Sequence, residues 1–208
     1  FCTRAELHAV SAPHAGDGTF RYPGLCRNLT PAEAEEKSRT RRPSLRFRAP
    51  EDTVTFEDLY CGPQNINVQS TFGDFIVRRS DGVFAYQLAV VVDDAAMGVT
   101  EVVRGCDLLG STPRQIYLQH LLGLPTPRYA HIPLLMSPDG RRLSKRDRDL
   151  DLGELSTRFG TPEALLGWLA GQTGIAPDAT PRTAEQLAEH FSWDVIRAHR
   201  ENITVTVE

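Results

Sequence analysis

The segment from Gly82 to Arg146 constrains the fold more than any other part of the chain. It reads GVFAYQLAVVVDDAAMGVTEVVRGCDLLGSTPRQIYLQHLLG, continues through a proline-rich connection and closes on GRRLSKR. Two apolar, Val-rich runs, Ala89 to Val92 and Val99 to Val103, each end in acidic or Gly-containing turns, the pattern of buried strands in a parallel sheet. A well-signalled helix follows the second run. Thr112 suits the N-cap, Pro113 the first helical position and Gln115 a capping box, and Gly123 stands where a helix C-terminus favours a left-handed residue. The expected order is therefore strand, loop, strand, helix, which is α/β in class.

The remaining punctuation fills in the chain. Thr30, Pro31 and Glu33 predict a capped helix over residues 30–40, and the alternating SLRFR and TVTFEDL segments predict strands. Cys61-Gly62-Pro63 marks a turn, and GDFIVRRSDG predicts a strand ending in an Asp81-Gly82 hairpin. Beyond Asp149 the pattern becomes helical, with Thr161-Pro162 opening EALLGWLAG and Thr183 with Gln186 capping AEQLAEHF. With 208 residues, 40% of them hydrophobic, the chain can bury a core without disulfide staples. No apolar run reaches the roughly 18 residues a membrane span requires. Four unevenly spaced cysteines predict reduced thiols or a metal site in the cytoplasm rather than a disulfide framework.

A net charge of −4 does not describe a globally basic nucleic-acid binder, but the charge is uneven. Arg39, Arg41, Arg42, Arg46 and Arg48 form one basic stretch, and Arg141, Arg142, Lys145, Arg146 and Arg148 another. Each reads either as a solvated face or as a set of phosphate contacts. Only two of the 23 basic residues are lysines, Lys37 and Lys145, so a lysine among arginines at 145 hints that a compact ammonium is needed there.

On residue type alone, the candidate site residues carry two readings each. On spacing alone, Cys2 and Cys26 with Tyr22 nearby read as a structural or incidental pair before a metal site, and His8 and His14 read as loop histidines or substitute ligands. Phe47, between Arg46 and Arg48, is an inward-facing strand residue or a stacking platform for a base. Tyr86 at a strand start reads as core and Arg104 before a glycine as surface. Yet a guanidinium fork matches a carboxylate and a tyrosine hydroxyl can orient a second polar group, so the pair also suits a small dicarboxylic amino acid. Both lie at or just before strand C-terminal ends, where an open parallel sheet binds ligands, but on residue type and position the core and surface readings remain the simpler ones.

Four blocks, FAYQLAVVVDD, TEVVRGCDLL, STPRQIYLQ and RRLSKR, occur in an order and at a spacing that resemble the second half of the nucleotide-binding domain of glutamyl-tRNA synthetases, which are class I aminoacyl-tRNA synthetases. More narrowly, the pattern is similar to the truncated glutamyl-Q tRNA(Asp) synthetase family. The resemblance implies an α/β fold, half of a Rossmann-type domain, with an inserted zinc-containing α+β subdomain and a short C-terminal helical part. The implied divisions are residues 1–72, a zinc-containing, RNA-facing insertion; 73–150, the nucleotide-binding half; and 151–208, the helical segment.

The same resemblance implies roles. Tyr86 and Arg104 would contact glutamate. Arg142-Leu143-Ser144-Lys145-Arg146, placed after His131-Ile132-Pro133-Leu134, is similar to the Lys-Met-Ser-Lys-Ser signature, with Arg at its first and last positions. Lys145 would be catalytic, stabilising charge on the ATP phosphates, with Ser144 and Arg142 beside it; removing such a donor costs roughly 2.7–4 kcal/mol. Cys2, Tyr22 and Cys26 would be three of four zinc ligands, the remaining cysteine lying just before Phe1. A His-Ile-Gly-His-like motif does not occur, so the chain is expected to begin inside its protein and to be inactive alone. The implied cofactors are ATP, Mg²⁺ and Zn²⁺. The implied partners are glutamate, ATP and the tRNA(Asp) anticodon stem-loop, with a cytoplasmic monomer and no membrane. The expected function is transfer of activated glutamate to queuosine; the alternatives are charging of tRNA(Glu) or a silent RNA-binding module.

Overall fold

In the computed structural model, which describes residues 1–3, 6, 21–143, 152–197 and 201–205, the capping signals set several helix ends. The chain gathers into two units, Phe1–Phe56 with Pro63–Thr100 and Gly110–Pro127, and Glu57–Gly62 with Glu101–Leu109 and Arg128–Glu208.

In the first unit, α1 (Pro31–Thr40) begins at the expected capping box: Thr30 Oγ1 accepts from the Glu33 amide at 3.3 Å, and the Glu33 carboxylate accepts from the Thr30 amide at 2.8 Å. It buries no residue, so the cap and the i,i+3 and i,i+4 pairs of Arg39 with Glu36 and Glu35 define it rather than packing. β1 (Leu45–Phe47) leads to β2 (Thr53–Asp58) and its sheet neighbour β3 (Gly62–Asn67). A single turn, α2 (Val68–Phe72), is capped by Asn67. β4 (Phe75–Arg78) then returns antiparallel to β1, with Arg46 opposite Ile76 and Phe47 opposite Phe75. The Asp81-Gly82 turn closes as expected, with the Arg79 amide donating to the Val83 carbonyl at 2.8 Å.

The first Val-rich run is not a strand. Residues Tyr86–Ala96 form α3, packed on β4 and on α4 (Thr112–Leu122). Val91 is buried while Val92 is 44% exposed, a one-sided pattern that a strand buried on both faces would not give. Four consecutive β-branched or small apolar residues carry no period of their own, and packing of one helical face decides. Both helices end in the hydrogen bonds of a Schellman turn. The Val99 amide donates to Asp94 and the Gly98 amide to Ala95; the Leu124 amide donates to Gln119 and the Gly123 amide to His120. Gly98 and Gly123 hold the required left-handed φ values of +70° and +64°. The start of α4 differs from expectation. Ser111 is the N-cap, with no side-chain cap bond, Thr112 is already helical, and Gln115 donates to Gln87 Oε1 at 3.0 Å instead of closing a box. Val68, Phe72, Phe75, Val91, Ile116 and Leu118 form the unit's core, each contributing about 1.5–3 kcal/mol on burial. Phe47 packs on Phe75 and Tyr117, at 5.5 and 5.6 Å between ring centres, which settles it as an inward-facing residue.

In the second unit the sheet is parallel. β5 (Glu101–Gly105), the second Val-rich run, pairs with β6 (Arg128–Ile132) from Glu101↔Arg128 to Gly105↔Ile132, and the end of β2 joins β6 at Asp58↔Tyr129. β7 (Leu135–Met136) pairs with β8 (Ile203–Thr204). The helices are α5 (Leu152–Phe159), α6 (Pro162–Gln172), α7 (Ala184–Glu189) and α8 (Trp193–Arg197). Thr161 and Thr183 cap α6 and α7 as their sequences predict. Gly167 and Gly171, one turn apart on α6, let the backbone of residues 178–180 lie directly on the helix. Among the described residues, no helix is long and apolar enough to cross a membrane.

Candidate functional site

Parallel pairing brings three polar residues to the carboxyl ends of neighbouring strands. Asp58 is the last residue of β2, Arg104 the penultimate residue of β5 and His131 the penultimate residue of β6, and the register sets Arg104 opposite His131. This is the edge where open α/β sheets bind ligands. Asp58 and His131 are fully buried. Asp58 Oδ2 lies 2.6 Å from His131 Nδ1, and Oδ1 accepts from the amides of Tyr60, Cys61 and His131 at 3.0, 2.8 and 3.1 Å. Burial alone would raise the carboxyl pKa, but the bonds from the His131 ring and these amides hold it below the usual carboxylate range. Arg104 Nε donates to His131 Nε2 at 3.0 Å, and the guanidinium lies 5.5 Å from the Tyr129 ring centre. Cys61 donates to the His131 carbonyl; burial, with the Asp58 charge nearby, pushes its thiol up to about 11.

Further along the same unit, the approach to the signature-like loop is a tight hairpin. The Ser137 amide donates to the Arg141 carbonyl at 2.8 Å, the Gly140 amide to Ser137 at 2.9 Å, and Arg142 bridges to Met136. Arg142 pairs with Asp107, just beyond β5. Ser144 and Lys145 lie outside the described residues.

In the first unit, Tyr86 sits at the N-terminal turn of α3, 50% exposed, rather than at the start of a strand. Its neighbour Gln87 donates to Ser111 Oγ at 3.0 Å and accepts from Gln115, tying α3 to α4. Arg114, stacked 4.5 Å over Phe72, also donates to Ser111, and burial pushes its pKa down to about 10.

The same unit brings Cys2, Tyr22 and Cys26 together. The two sulfurs stand 3.1 Å apart, Tyr22 Oη is 3.6 Å from Cys2 Sγ, and the Cys26 amide donates to Tyr22 Oη at 2.9 Å. Burial pushes the Tyr22 hydroxyl up to about 12. His8 and His14 lie outside the described residues, and among the described residues no group of three or more His, Cys, Asp or Glu side chains is placed to hold a metal. Beside the thiols opens a cavity of about 360 Å³ whose described lining includes Arg27, Arg41, Arg42, Arg46 and Arg48 against one carboxylate, Asp74. Arg27 and Arg46 are engaged there: Arg27 pairs with Asp74, while Arg46 stacks 3.9 Å over Tyr22 and donates to the Asp74 carbonyl at 3.1 Å. Arg39, the fifth member of the basic stretch read from sequence, is instead paired within α1.

Residue-type reasoning missed Asp58 altogether and used His131 only as a landmark. The signal available was the sequence HIPL placed before the basic loop; nothing local marks Asp58 as its partner.

Comparison with known proteins places these features in a family. Residues 1–192 match the model of the class I tRNA synthetase (E and Q) catalytic domain. Glutamyl-Q tRNA(Asp) synthetase of Nitratidesulfovibrio vulgaris is 52% identical over 185 residues, 88% of this chain and 57% of that protein. The protein of the same name from Symbiobacterium thermophilum is 46% identical over 212 residues, all of this chain and 64% of that protein. The chain thus spans about 60% of the length of these relatives. Two solved structures share the fold at 22% identity: a glutamate tRNA ligase from Elizabethkingia meningosepticum in complex with its amino acid (TM-score 0.69, covering 99% of this chain and 46% of that one) and glutamate-tRNA synthetase from Elizabethkingia anophelis (TM-score 0.71, covering 100% and 47%). With most of its length matching the family model, the chain belongs to the class I tRNA synthetases of the glutamate and glutamine group and carries part of their catalytic domain.

Proposed function

We propose that the full-length protein activates glutamate with ATP and Mg²⁺ and transfers it to the queuosine base in the anticodon loop of tRNA(Asp). The observation that carries this reading is the 52% identity, across 88% of the chain, to a relative named glutamyl-Q tRNA(Asp) synthetase. In the first step the glutamate α-carboxylate attacks the ATP α-phosphate and pyrophosphate leaves. Arg104 is the proposed carboxylate-binding residue, supported by its place at the carboxyl end of β5 and its hold on His131. Tyr86 is the second proposed glutamate residue. Lys145 is the proposed catalytic cation on the phosphates, with Ser144 and Arg142 completing the ATP contacts.

Residues 1–72 are proposed as the RNA-facing part, 73–150 as the nucleotide-binding half and 151–208 as the helical segment, in a monomer working in the cytoplasm. The arginine-lined cavity supports the RNA assignment, since backbone phosphates supply the anions that five guanidinium groups and one carboxylate leave unbalanced. Zinc is proposed for the adjoining cluster. Cys2 Sγ, 3.1 Å from Cys26 Sγ and 3.6 Å from Tyr22 Oη, gives with them a suitable partial donor set, and Cys2, Tyr22 and Cys26 would hold the ion. When bound, it would cross-link the segment at Cys2 to the turn at Tyr22–Cys26.

Glutamate-dependent ATP–pyrophosphate exchange by the full-length protein, with no RNA added, tests the reading. Exchange without RNA is the expected result. Exchange that requires tRNA(Glu) would replace it with ordinary glutamyl charging, and no exchange under any condition would leave a silent RNA-binding module.

A further inference from the structure

Nothing in the proposed chemistry uses Asp58 or His131, yet both are fully buried, they are paired with each other, and the pair ends on Arg104. A buried charge is expensive, and apolar side chains of similar volume would usually serve stability as well. The donors and acceptors fix the protons. Arginine can only donate, so His131 Nε2 must present its lone pair to Arg104 Nε–H; the ring proton then resides on Nδ1 and is donated to Asp58. Three backbone amides on its other oxygen stabilise Asp58 as the carboxylate, which leaves Oδ2 to accept the Nδ1 proton.

We infer that Asp58 and His131 are positioning residues for Arg104: the aspartate locks the imidazole tautomer, and the imidazole lone pair holds the guanidinium by its Nε–H so that it meets the substrate carboxylate in one orientation. The inference rests on the reading of Arg104 as a glutamate-binding residue. The aim is set two steps from the substrate. Asp58 fixes a proton, the proton's absence from Nε2 makes an acceptor, and the acceptor helps fix the rotation of a long side chain.

The test is ATP–pyrophosphate exchange by full-length variants, read as separate KM values for glutamate and ATP and as kcat. Asp58→Asn keeps an oxygen for the backbone amides but turns an amide N–H toward Nδ1. The ring proton must then move to Nε2, where it opposes Arg104 Nε–H. Glutamate KM is expected to rise about tenfold to 100-fold, with kcat and the KM for ATP within about twofold of wild type. His131→Gln can return an acceptor near the position of Nε2 and is expected to recover most of the affinity; the shorter side chain of His131→Asn is not. An Asp58→Asn enzyme with wild-type glutamate KM, alongside an Arg104→Ala enzyme whose KM rises, overturns the positioning role and leaves the glutamate reading intact. Unchanged KM in Arg104→Ala overturns both. Should Asp58→Asn fail to fold, ¹⁵N NMR of the histidine-labelled wild-type protein reads the tautomer directly. A proton on Nδ1 is expected, and one on Nε2 overturns the inference.

Discussion

Replacing Gly167 by alanine sets a helix-forming gain against a clash that the backbone cannot avoid. Gly167 lies inside α6, where alanine normally stabilises by up to about 1 kcal/mol. Its added Cβ, however, would land on the carbonyl of Thr180, with the Thr180 carbonyl carbon at 2.7 Å and the Ala179 oxygen at 3.0 Å. These are backbone atoms of a segment pinned by its own bonds: the Arg182 amide donates to Glu163 at 3.0 Å, and the Arg182 side chain holds the Asp178 and Thr180 carbonyls. Overpacking of this kind costs about 1–3 kcal/mol, and a backbone contact belongs at the upper end, so the net loss should be about 2 kcal/mol. For a chain of this size that corresponds to a fall in Tm of about 4–8 °C. Gly171→Ala is the internal comparison. Its nearest contacts, 3.0–3.2 Å from Asp178 and Ala179, are tight but not impossible, so the helix gain should leave its Tm within about 2 °C of wild type. Differential scanning calorimetry of both variants decides the matter. A Gly167→Ala protein as stable as wild type would refute the claim that the glycine exists for close approach of residues 178–180.

Four further outcomes follow from the same geometry. Tyr22→Phe removes the hydroxyl that bonds the Cys26 amide and one proposed zinc donor, so zinc should be lost to a competing chromogenic chelator at roughly tenfold lower chelator concentration; identical release curves would remove Tyr22 from the ligand set. Replacing both Arg41 and Arg42 by alanine should weaken tRNA(Asp) binding and lower the slope of log K against log salt by between about one and two, measured by fluorescence anisotropy; an unchanged slope counts against phosphate contact in the cavity. Cys61, its thiol held up at about 11, should alkylate with iodoacetamide at pH 8 about 100-fold more slowly than a free cysteine, as followed by peptide mass spectrometry, and equal rates would contradict the burial argument. Asp58 has a folded pKa below its unfolded value of about 3.9, so its stabilisation is present above that pH and is lost as pH falls through the folded pKa. The stability gap between wild type and Asp58→Asn, from urea titrations, should therefore close below about pH 4; a gap constant down to pH 2 would refute the assignment.

What the sequence made legible was local. The caps at Thr30, Thr161 and Thr183 and the left-handed stop at Gly123 depend on residues within one turn of each other, and all four appear in the fold. The Ala89–Val92 run failed because its identity depends on what lies beside it. Val91 faces inward and Val92 outward only once α3 is laid on α4 and β4, and a short β-branched run carries no internal sign of that choice. The box expected of Thr112 and Gln115 failed for a related reason: the helix starts one residue earlier than the local signal says, with Ser111 as N-cap, and Gln115 Nε2 donates to Gln87 on the facing helix.

The site divides along the same line. A residue that binds a carboxylate needs charge and aim, and of these only charge is written in the residue type. Arg104 could be picked out as the proposed carboxylate fork, but its hold comes from His131, 27 residues later in the chain, and behind that from Asp58, 73 residues before His131. Those separations are bridged by sheet register alone. Pairing of β5 with β6 sets Arg104 against His131, and pairing of β2 with β6 at Tyr129 brings the Asp58 carboxylate to the same strand end. Slipping β6 by one residue would present Ala130 or Ile132 in place of the imidazole and turn the ring to the other face. The apolar pattern that buries Tyr129 and Ala130 thus fixes more than a core: by fixing the register it sets His131 against the arginine, and the Asp58 bond to Nδ1 then turns Nε2 toward it.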